Sequence, residues 1–242
     1  MTMIILIGRR KRFLVDPSKD FDCEFGHIKK EDLAKIGSQI RTNTGERFLV
    51  VQASTTDMYR RLKKRAQTIP LKDLAYIAAY TGIDKSSIVA EAGTGSGAGA
   101  LFFARFVKKV YSFDNREEHQ AVARGNLERM GYKNVVMKIQ DVYEKFPVKN
   151  ANLILLDLAS PWEAIPTAKP GLAINGWLVS YSPSIPQISD FREALRAHPE
   201  LVFDHVAKIH VEEWDMEGRV QRPLTRPPMG HSGFLCFARK MQ

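Results

Sequence analysis

Residues 91–97 read Glu-Ala-Gly-Thr-Gly-Ser-Gly, and this stretch decides the predicted fold. It ends the short apolar run Ile88–Ala92, which predicts a strand, and it precedes Ala98–Val107, which predicts a helix. Glycines in such a turn let the backbone approach a ligand closely, and the first N–H groups of the helix face the same point. The stretch therefore predicts a ligand-binding turn between a strand and a helix.

The chain on both sides of this turn alternates between strands and helices from residue 71 onward. The predicted strands are Ile88–Ala92, Val110–Phe113, Asn134–Ile139, Leu153–Leu156, Leu178–Ser182, Val202–Glu212 and Gly233–Arg239. The predicted helices are Leu71–Thr81, Ala98–Val107, Arg116–Met130 and Ile188–Ala197. Strands separated by helices predict a doubly wound α/β sheet, and we expect the last two strands to close it as a hairpin.

One carboxylate lies near the carboxyl end of each of four successive predicted strands: Glu91, Asp114, Asp141 and Asp157. Ligands bind outside these strand ends, so we expect the four acids to meet in one crevice. There Asp114 is placed to accept both ribose hydroxyls and Asp141 to accept from an adenine amino group. A ring of acids suits the cationic S-adenosylmethionine better than a dinucleotide pyrophosphate, although each acid alone is equally consistent with a helix cap.

Asp157 lies in the segment Leu-Leu-Asp-Leu-Ala-Ser-Pro-Trp of residues 155–162, where an apolar strand ends in a loop. A carboxylate at this point can accept a hydrogen bond from an adenine amino group, and Trp162 can lie under a flat base. The simpler alternative is that Asp157 caps the helix that starts near Trp162.

The first 65 residues carry most of the net charge. They hold 15 Lys and Arg against 8 Asp and Glu, a net +7, whereas residues 66–242 hold 21 against 19, a net +2. We predict a small β domain over residues 1–53, with strands at Met3–Ile7, Arg12–Val15, Gln39–Thr42 and Arg47–Val51. A basic linker helix is expected over 54–70, opened by the capping box at Ser54. This asymmetry favours a polyanionic partner, and a solvated basic face is the alternative.

The composition excludes several protein classes. Of 242 residues, 44% are hydrophobic and 26% charged, which is typical of a globular protein. The apolar run Met3–Ile7 is too short to span a membrane and is followed by its basic cluster, so we expect a cytoplasmic protein without membrane association. Cys23 and Cys236 are too few for a disulfide framework or a four-ligand zinc site, and we expect no metal.

Several motifs together resemble the tRNA (adenine-N1)-methyltransferases that modify T-loop position 58, and in archaeal members also position 57. They are Ile-Arg-Thr-Asn-Thr-Gly-Glu-Arg-Phe-Leu-Val at 40–50, Lys-Arg-Ala-Gln-Thr-Ile at 64–69, the glycine turn at 91–97, Asn-Arg-Glu at 115–117, Leu-Asp-Leu at 156–158 with Pro-Trp at 161–162, and Gly-His-Ser-Gly-Phe-Leu at 230–235. The resemblance runs through nearly the whole chain. It implies a Rossmann-like class I methyltransferase sheet over 71–242, S-adenosylmethionine as cofactor, tRNA as substrate and a homotetramer.

The resemblance also implies roles for individual residues. The catalytic residue would be Asp157, facing the target adenine. The residues around the cofactor would be Gln67, Glu91, Gly93, Gly95, Ser96, Gly97, Asp114, Asn115 and Asp141, with Gln67 near its methionine end. At the substrate, His231 matches a histidine of the family, and a buried, hydrogen-bonded histidine is the alternative for it. Tyr181 or Trp162 is the candidate to contact the base in place of an aromatic residue that the family has and this chain lacks.

Two departures from the family pattern affect the substrate side. The family often has Tyr-Pro where this chain has Pro70-Leu71, and its Asp-Leu-Pro motif is Asp157-Leu158-Ala159 here. The first departure keeps open a non-catalytic RNA-binding subunit as an alternative function. A protein-isoaspartate carboxyl methyltransferase shares the glycine motif but does not explain the basic N-terminal region, and a dinucleotide-dependent dehydrogenase lacks the expected proton-relay residues.

Overall fold

The computed structural model describes residues 3–216, 219, 221–223 and 232–242. The chain forms two compact units. The first consists of Met1–Lys63 with Gly125–Tyr132, and the second of Lys64–Arg124 with Lys133–Gln242.

The first unit is built around a four-stranded antiparallel sheet in the order β2-β1-β6-β5. Its strands are β1 (Ile4–Ile7), β2 (Arg12–Val15), β5 (Gln39–Arg41) and β6 (Arg47–Gln52), so the four predicted strands are confirmed to within one residue at each end. Alternate residues of β1 and β6 face a core that is closed by an edge contact between Phe13 and Phe48, with ring centroids 5.8 Å apart.

Three short elements of this unit have no counterpart in the prediction. They are the hairpin of β3 (Phe21–Cys23) and β4 (Gly26–Ile28) and the one-turn helix α1 (Lys30–Leu33). Three residues are too few for a strand period to be visible in sequence. The hairpin is fixed by tertiary contacts instead, since the Asn43 side chain accepts from the His27 N–H at 2.8 Å.

The predicted basic linker helix over 54–70 is wrong in extent. Helix α2 (Thr55–Arg60) has the expected capping box at Ser54 and Asp57, but it ends before Lys63. Asn126 explains why: its side chain accepts from the Lys63 N–H at 3.2 Å and donates to the Lys63 carbonyl at 2.9 Å, so neither group enters a helix. Helix α5 (Glu117–Met130) carries this asparagine.

The second unit contains a seven-stranded sheet in the order β12-β15-β11-β10-β7-β8-β9. Its strands are β7 (Ile88–Ala92), β8 (Lys109–Asp114), β9 (Val135–Ile139), β10 (Ala151–Leu156), β11 (Leu172–Ser182), β12 (Leu201–Ala207) and β15 (Phe234–Lys240). Strands β7 to β11 pair in parallel, and β15 pairs antiparallel with β11 and β12. The doubly wound sheet and its closing hairpin are confirmed.

The remaining elements flank this sheet. They are α3 (Leu71–Thr81), α4 (Ala98–Phe103), α6 (Ile165–Ala168), α7 (Ile185–Leu195), two 3₁₀ turns at Pro161–Ala164 and Lys169–Gly171, and the two-residue strands β13 (Trp214–Asp215) and β14 (Arg222–Pro223). Strands β13 and β14 pair with each other, and residues 217, 218, 220 and 224–231 near them lie outside the described residues. Within the described part of the chain, every helix is too short or too polar to cross a bilayer.

Three predicted boundaries in this unit are wrong for local reasons. Helix α4 stops at Phe103, because the Phe106 N–H turns back to the Phe103 carbonyl at 2.9 Å. Strand β12 stops at Ala207, because its partner strand begins only at Phe234. Strand β11 begins six residues earlier than predicted, at Leu172, and its pairing with β10 shifts register near Asn175, whose φ is 64°.

Candidate cofactor-binding and catalytic cleft

The strand order brings the four predicted acids to one edge of the sheet. Strands β10, β7, β8 and β9 are consecutive neighbours and run parallel. Glu91 is the penultimate residue of β7, Asp114 ends β8, Asp157 follows β10 directly, and Asp141 follows β9 by two residues. Connections leave β7 and β10 in opposite directions, which is the switch point where doubly wound sheets bind ligands.

A cleft of about 310 Å³ opens at this point. The residues that line it are Gln67, Thr68, Ile69, Glu91, Ala92, Gly93, Thr94, Gly95, Ser96, Ala98, Gly99, Leu155 and Asp157. The lining thus contains five of the nine predicted cofactor residues together with the predicted catalytic one. None of the described lining residues is basic, and two are acids.

The glycine turn and the loop that follows β10 touch through their backbones. Gly93 has a φ of +90°, and a Cβ built on it would lie 2.1 Å from the carbonyl oxygen of Asp157. The Asp157 N–H in turn donates to the Ala92 carbonyl at 2.9 Å. Only glycine permits this approach, so Asp157 is fixed directly beside the turn.

Ser96 holds a second segment against the same turn. Its buried hydroxyl accepts from the Arg65 N–H at 3.1 Å and lies 3.4 Å from the N–H and the carbonyl of Ala66. These bonds place the next residue, Gln67, at the rim of the cleft, although Gln67 is itself exposed. The role of the Ser96 side chain is therefore to hold this segment in place.

Asp114 is the most heavily hydrogen-bonded of the four acids. Its Oδ2 accepts from the Gly95 N–H at 3.0 Å and lies 3.3 Å from His119 Nδ1, while its Oδ1 accepts from the Arg116 N–H at 3.0 Å. Burial alone would raise the pKa of this carboxyl, but the backbone donors and the Arg116 charge outweigh it and lower the pKa. Asp114 is thus a carboxylate at neutral pH, and each of its oxygens has two contacts, the weakest of which is Arg116 Nε at 3.4 Å from Oδ1.

Glu91 ends a chain of buried hydrogen bonds that crosses the sheet. Gln120 Nε2 donates to Thr94 Oγ1 at 3.2 Å, Thr94 Oγ1 lies 2.7 Å from Ser112 Oγ, and Ser112 donates to Glu91 Oε1 at 2.7 Å. Glu91 is 4% exposed. Burial raises its pKa to about 8 against the Ser112 hydrogen bond, with a further increase from the charges of Asp157 and Asp114. Glu91 is therefore largely protonated at pH 7.

Asp157 has a different environment from Asp114. Burial raises its pKa to about 7, and the nearby Asp114 charge adds to the increase. Its side chain is partly exposed in the cleft. Tyr181 of β11 lies one residue beyond the Leu156–Ser180 pair and is therefore a neighbour of Asp157. Burial, followed by the charges of Asp73 and Asp157, raises the Tyr181 pKa, while the N–H of Gly233 donates to its hydroxyl at 2.8 Å.

The other predicted site residues do not line the cleft. Gly97 is the left-handed N-cap of α4, and Asn115 is exposed after β8. Asp141 accepts from the Tyr143 N–H at 2.9 Å through Oδ1, a contact within a turn and not a helix cap. Trp162 packs against the sheet core beside α7. His231 lies outside the described residues.

Several residues of the site were not predicted. His119 and Gln120 lie on the buried face of α5 and support Asp114 and Thr94, and Ser112 carries the bond to Glu91. The sequence could have indicated them, because each is a polar residue where the periodicity of the strand or helix predicts a buried, apolar one. Among the described residues, no three His, Cys, Asp or Glu side chains are grouped to hold a metal ion.

Comparison with known proteins gives a consistent result. The model of the family described as the GCD14 subunit of the tRNA methyltransferase complex matches residues 47–222. A relative from Methanocaldococcus jannaschii, tRNA (adenine(57)-N(1)/adenine(58)-N(1))-methyltransferase TrmI, is 32% identical over 98% of this chain and 94% of its own length. The tRNA (adenine(58)-N(1))-methyltransferase TrmI of Thermus thermophilus is 29% identical over 98% of this chain and 96% of its own length.

Two solved structures share the fold over the whole chain. A SAM-dependent O-methyltransferase from Thermotoga maritima superposes with a TM-score of 0.89 at 26% identity, covering 100% of this chain and 93% of its own. The tRNA (m1A58) methyltransferase TrmI of Aquifex aeolicus gives 0.83 at 22% identity, over 99% of this chain and 97% of its own. With the family model matching most of the sequence, the chain belongs to the family of the GCD14 subunit of the tRNA methyltransferase complex.

Proposed function

We propose that the protein transfers a methyl group from S-adenosylmethionine to N1 of adenine 58 in the T-loop of tRNA, with adenine 57 as a second target. The observation that carries this proposal is the position of Asp157, a partly exposed carboxyl fixed beside the glycine turn in a cleft whose described lining residues include two acids and no base. The relatives that act on these two adenines span nearly the whole chain.

The residues present fit S-adenosylmethionine. Ribose hydroxyls can bind Asp114 in place of its 3.4 Å contact from Arg116 Nε, Asp141 accepts from the backbone through Oδ1 and would bind the adenine amino group through Oδ2, and Glu91 and Gln67 line the cleft. Among the described lining residues, acids without basic partners favour a cation over a pyrophosphate. When bound, the cofactor supplies an electrophilic methyl group on a positively charged sulfur. Gly97 in the glycine turn and Asn115 after β8 are the remaining residues proposed to bind the cofactor, both through their backbone.

Asp157 is the proposed catalytic residue. In its ionised form it accepts a hydrogen bond from the amino group of the target adenine, which increases electron density at the neighbouring N1. As N1 takes the methyl group, positive charge develops in the ring, and the carboxylate stabilises it within a poorly solvated cleft. The raised pKa of Asp157, about 7, makes its charge sensitive to pH in the working range. Tyr181, Trp162 and His231 are proposed to contact the substrate.

The basic N-terminal region is proposed to bind the tRNA. Residues 1–65 carry a net +7, and the arginines and lysines at positions 9–12 and 60–65 are mostly exposed. Phosphate contacts by such residues give affinity without sequence specificity, which leaves selection of the adenine to the cleft. We propose an RNA-binding domain over 1–53, a basic linker over 54–70 and a methyltransferase domain over 71–242.

A homotetramer in the cytoplasm completes the proposal, because it is the state that the family resemblance implies. Light scattering coupled to size-exclusion chromatography measures the assembly directly. A mass near four times 27.4 kDa is expected, and a monomer mass at micromolar concentration contradicts this part.

The central test is a methyl-transfer assay with labelled cofactor and four tRNA transcripts. One transcript keeps both T-loop adenines, one has guanine in place of adenine 58, one has guanine in place of adenine 57, and the last has guanine at both positions. Label is expected in the first three in proportion to the adenines retained, and none in the fourth. Equal label in all four refutes the site, and label in protein instead of RNA supports a carboxyl methyltransferase.

A substitution in the protein tests the role of the proposed catalytic carboxyl. Asp157→Ala is expected to abolish transfer with cofactor affinity retained, because the proposal places Asp157 at the target adenine. The exposed Asp190→Ala serves as the matched control. Loss of cofactor binding in Asp157→Ala contradicts the division of roles between Asp157 and the other acids.

A further inference from the structure

The ammonium group of Lys72 is fully occupied by three acceptors from three parts of the chain. It donates to Asp73 Oδ1 at 2.8 Å, to the Ile209 carbonyl at 2.7 Å and to Ser232 Oγ at 2.7 Å. An ammonium has three N–H donors, so none remains for a further partner. The Lys72 side chain is 22% exposed and starts from the first turn of α3. Lys72 is therefore fixed in one position.

Two of these acceptors flank the same stretch of chain. Ile209 lies two residues after the end of β12, and Ser232 lies two residues before the start of β15. One side chain thus ties Ile209 and Ser232, which flank the stretch 210–231 in sequence, to the beginning of α3. Within that stretch, Arg219 and Arg222 are exposed and basic.

The residue after Ser232 extends this connection to the cleft. The Gly233 N–H donates to the hydroxyl of Tyr181 at 2.8 Å, and a Cβ on Gly233 would lie 2.7 Å from the Tyr181 ring. Tyr181 is in turn the strand neighbour of Asp157. Ser232 and Gly233 are therefore held from two sides, by Lys72 and by Tyr181, next to the proposed catalytic carboxyl.

Asp73 shows that this cluster is not optimised for stability. Its side chain is fully buried, and its Oδ2 has no hydrogen-bond partner among the described residues. Burial raises the pKa of Asp73 although the Lys72 charge acts against it. A buried ion pair with an unsatisfied oxygen contributes little or negative stability, which is expected where the pair fixes a geometry.

We propose that Lys72 is a positioning residue for the tRNA half of the site: it fixes Ile209 and Ser232, and through Ser232 the Gly233–Tyr181 contact beside Asp157, without contacting RNA itself. The inference rests on the proposed function for its substrate. Cofactor binding does not depend on Lys72, because none of the cluster residues lines the cofactor cleft.

The test compares Lys72→Met with Ser232→Ala, which removes one acceptor and no charge, and with Lys85→Met as the matched control. Lys85 is exposed in the turn after α3, and its loss changes the net charge equally. We expect kcat/KM for tRNA to fall about tenfold in Lys72→Met, mainly through KM, which corresponds to about 1.4 kcal/mol. Ser232→Ala is expected to lose about threefold and Lys85→Met less than about twofold, with the cofactor Kd unchanged in all three.

Two further measurements separate positioning from direct RNA contact and from failure of the proposed function. The slope of tRNA affinity against salt is expected to stay at the wild-type value in Lys72→Met, whereas a lost phosphate contact lowers it by about 0.7 to 0.9. Without any RNA, trypsin is expected to cleave after Arg219 at least about fivefold faster in Lys72→Met and Ser232→Ala than in Lys85→Met. Equal cleavage rates in all variants overturn the inference, whatever the substrate is. So does a reduced salt slope in Lys72→Met together with a Ser232→Ala variant whose kcat/KM is unchanged.

Discussion

Replacing Asp157 by asparagine should change how the stability of the protein depends on pH. Burial raises the pKa of this carboxyl from 3.8 to about 7. Between these values the folded protein holds a proton that the unfolded chain has released, so the contribution of Asp157 to stability is complete below about pH 4 and is lost as the pH rises to about 7. Asparagine cannot titrate, so the variant should lack this loss.

The size of the effect follows from the same two pKa values. Their difference corresponds to at most about 4 kcal/mol over the full range, since one pKa unit is about 1.4 kcal/mol. The Asp157 side chain is partly exposed, and solvent screening reduces this amount. Over the practical range of pH 5 to 7 we expect the free energy of unfolding of Asp157→Asn to rise relative to wild type by about 1 to 2 kcal/mol.

Urea unfolding at pH 5, 6, 7 and 8 without cofactor measures this difference, with Asp190→Asn, an exposed change on α7, as the matched control. Glu91 titrates next to Asp157, and loss of the Asp157 charge also lowers the Glu91 pKa, which changes stability in the same direction. The free energy of unfolding is plotted against pH for Asp157→Asn and for wild type. If the two curves stay parallel within about 0.5 kcal/mol, near the error of such unfolding fits, the assignment of a protonated Asp157 is refuted.

Three further substitutions test the turn, the linker and the ribose acid. Gly93→Ala forces a Cβ against the Asp157 carbonyl at a φ of +90°, so it should destabilise the fold by about 2 kcal/mol or more and abolish cofactor binding. Thermal melts measure the stability and calorimetry the binding. The control Gly125→Ala places its Cβ in open space on α5 and should be neutral or stabilising. Asn126→Ala leaves both Lys63 backbone groups unpaired and should lower the free energy of unfolding by about 1 to 3 kcal/mol, whereas exposed Glu128→Ala should not. Asp114→Asn directs an NH₂ at the Gly95 or the Arg116 N–H and should weaken cofactor binding at least about tenfold in calorimetry; an unchanged Kd contradicts the ribose role.

The order of the main elements could be predicted because hydrophobic periodicity and turn chemistry act locally. Strand β7 and helix α3 were predicted to the residue, since both are bounded by glycine, proline or a charged turn. The failures have a different origin. Helix α2 ends early because a side chain on α5, 63 residues away, takes the backbone groups of Lys63, and no local pattern contains that information.

The site shows the same division. The positions of Glu91, Asp114 and Asp157 follow from the rule that parallel strands end at one edge, and the structure places them there. Their protonation could not be predicted, because it depends on burial and on neighbours from other strands: Asp114 is held ionised by backbone donors, while Glu91 is held neutral. The contacts of Lys72 with Ile209 and Ser232 could not be predicted from the sequence either, since the residues are separated by up to 160 positions.

The acids among the described lining residues of the cleft have a consequence for turnover. The lining acid assigned to the cofactor, Glu91, has its pKa raised to about 8, so it would attract a positively charged sulfur more strongly as rising pH removes its proton. Once the methyl group has left, the sulfur is neutral and the same carboxylate has no charge to attract. The preference of the cleft for fresh over spent cofactor should therefore increase from about pH 7 to about pH 9. Release of the spent cofactor after each cycle would be favoured by the same change of charge.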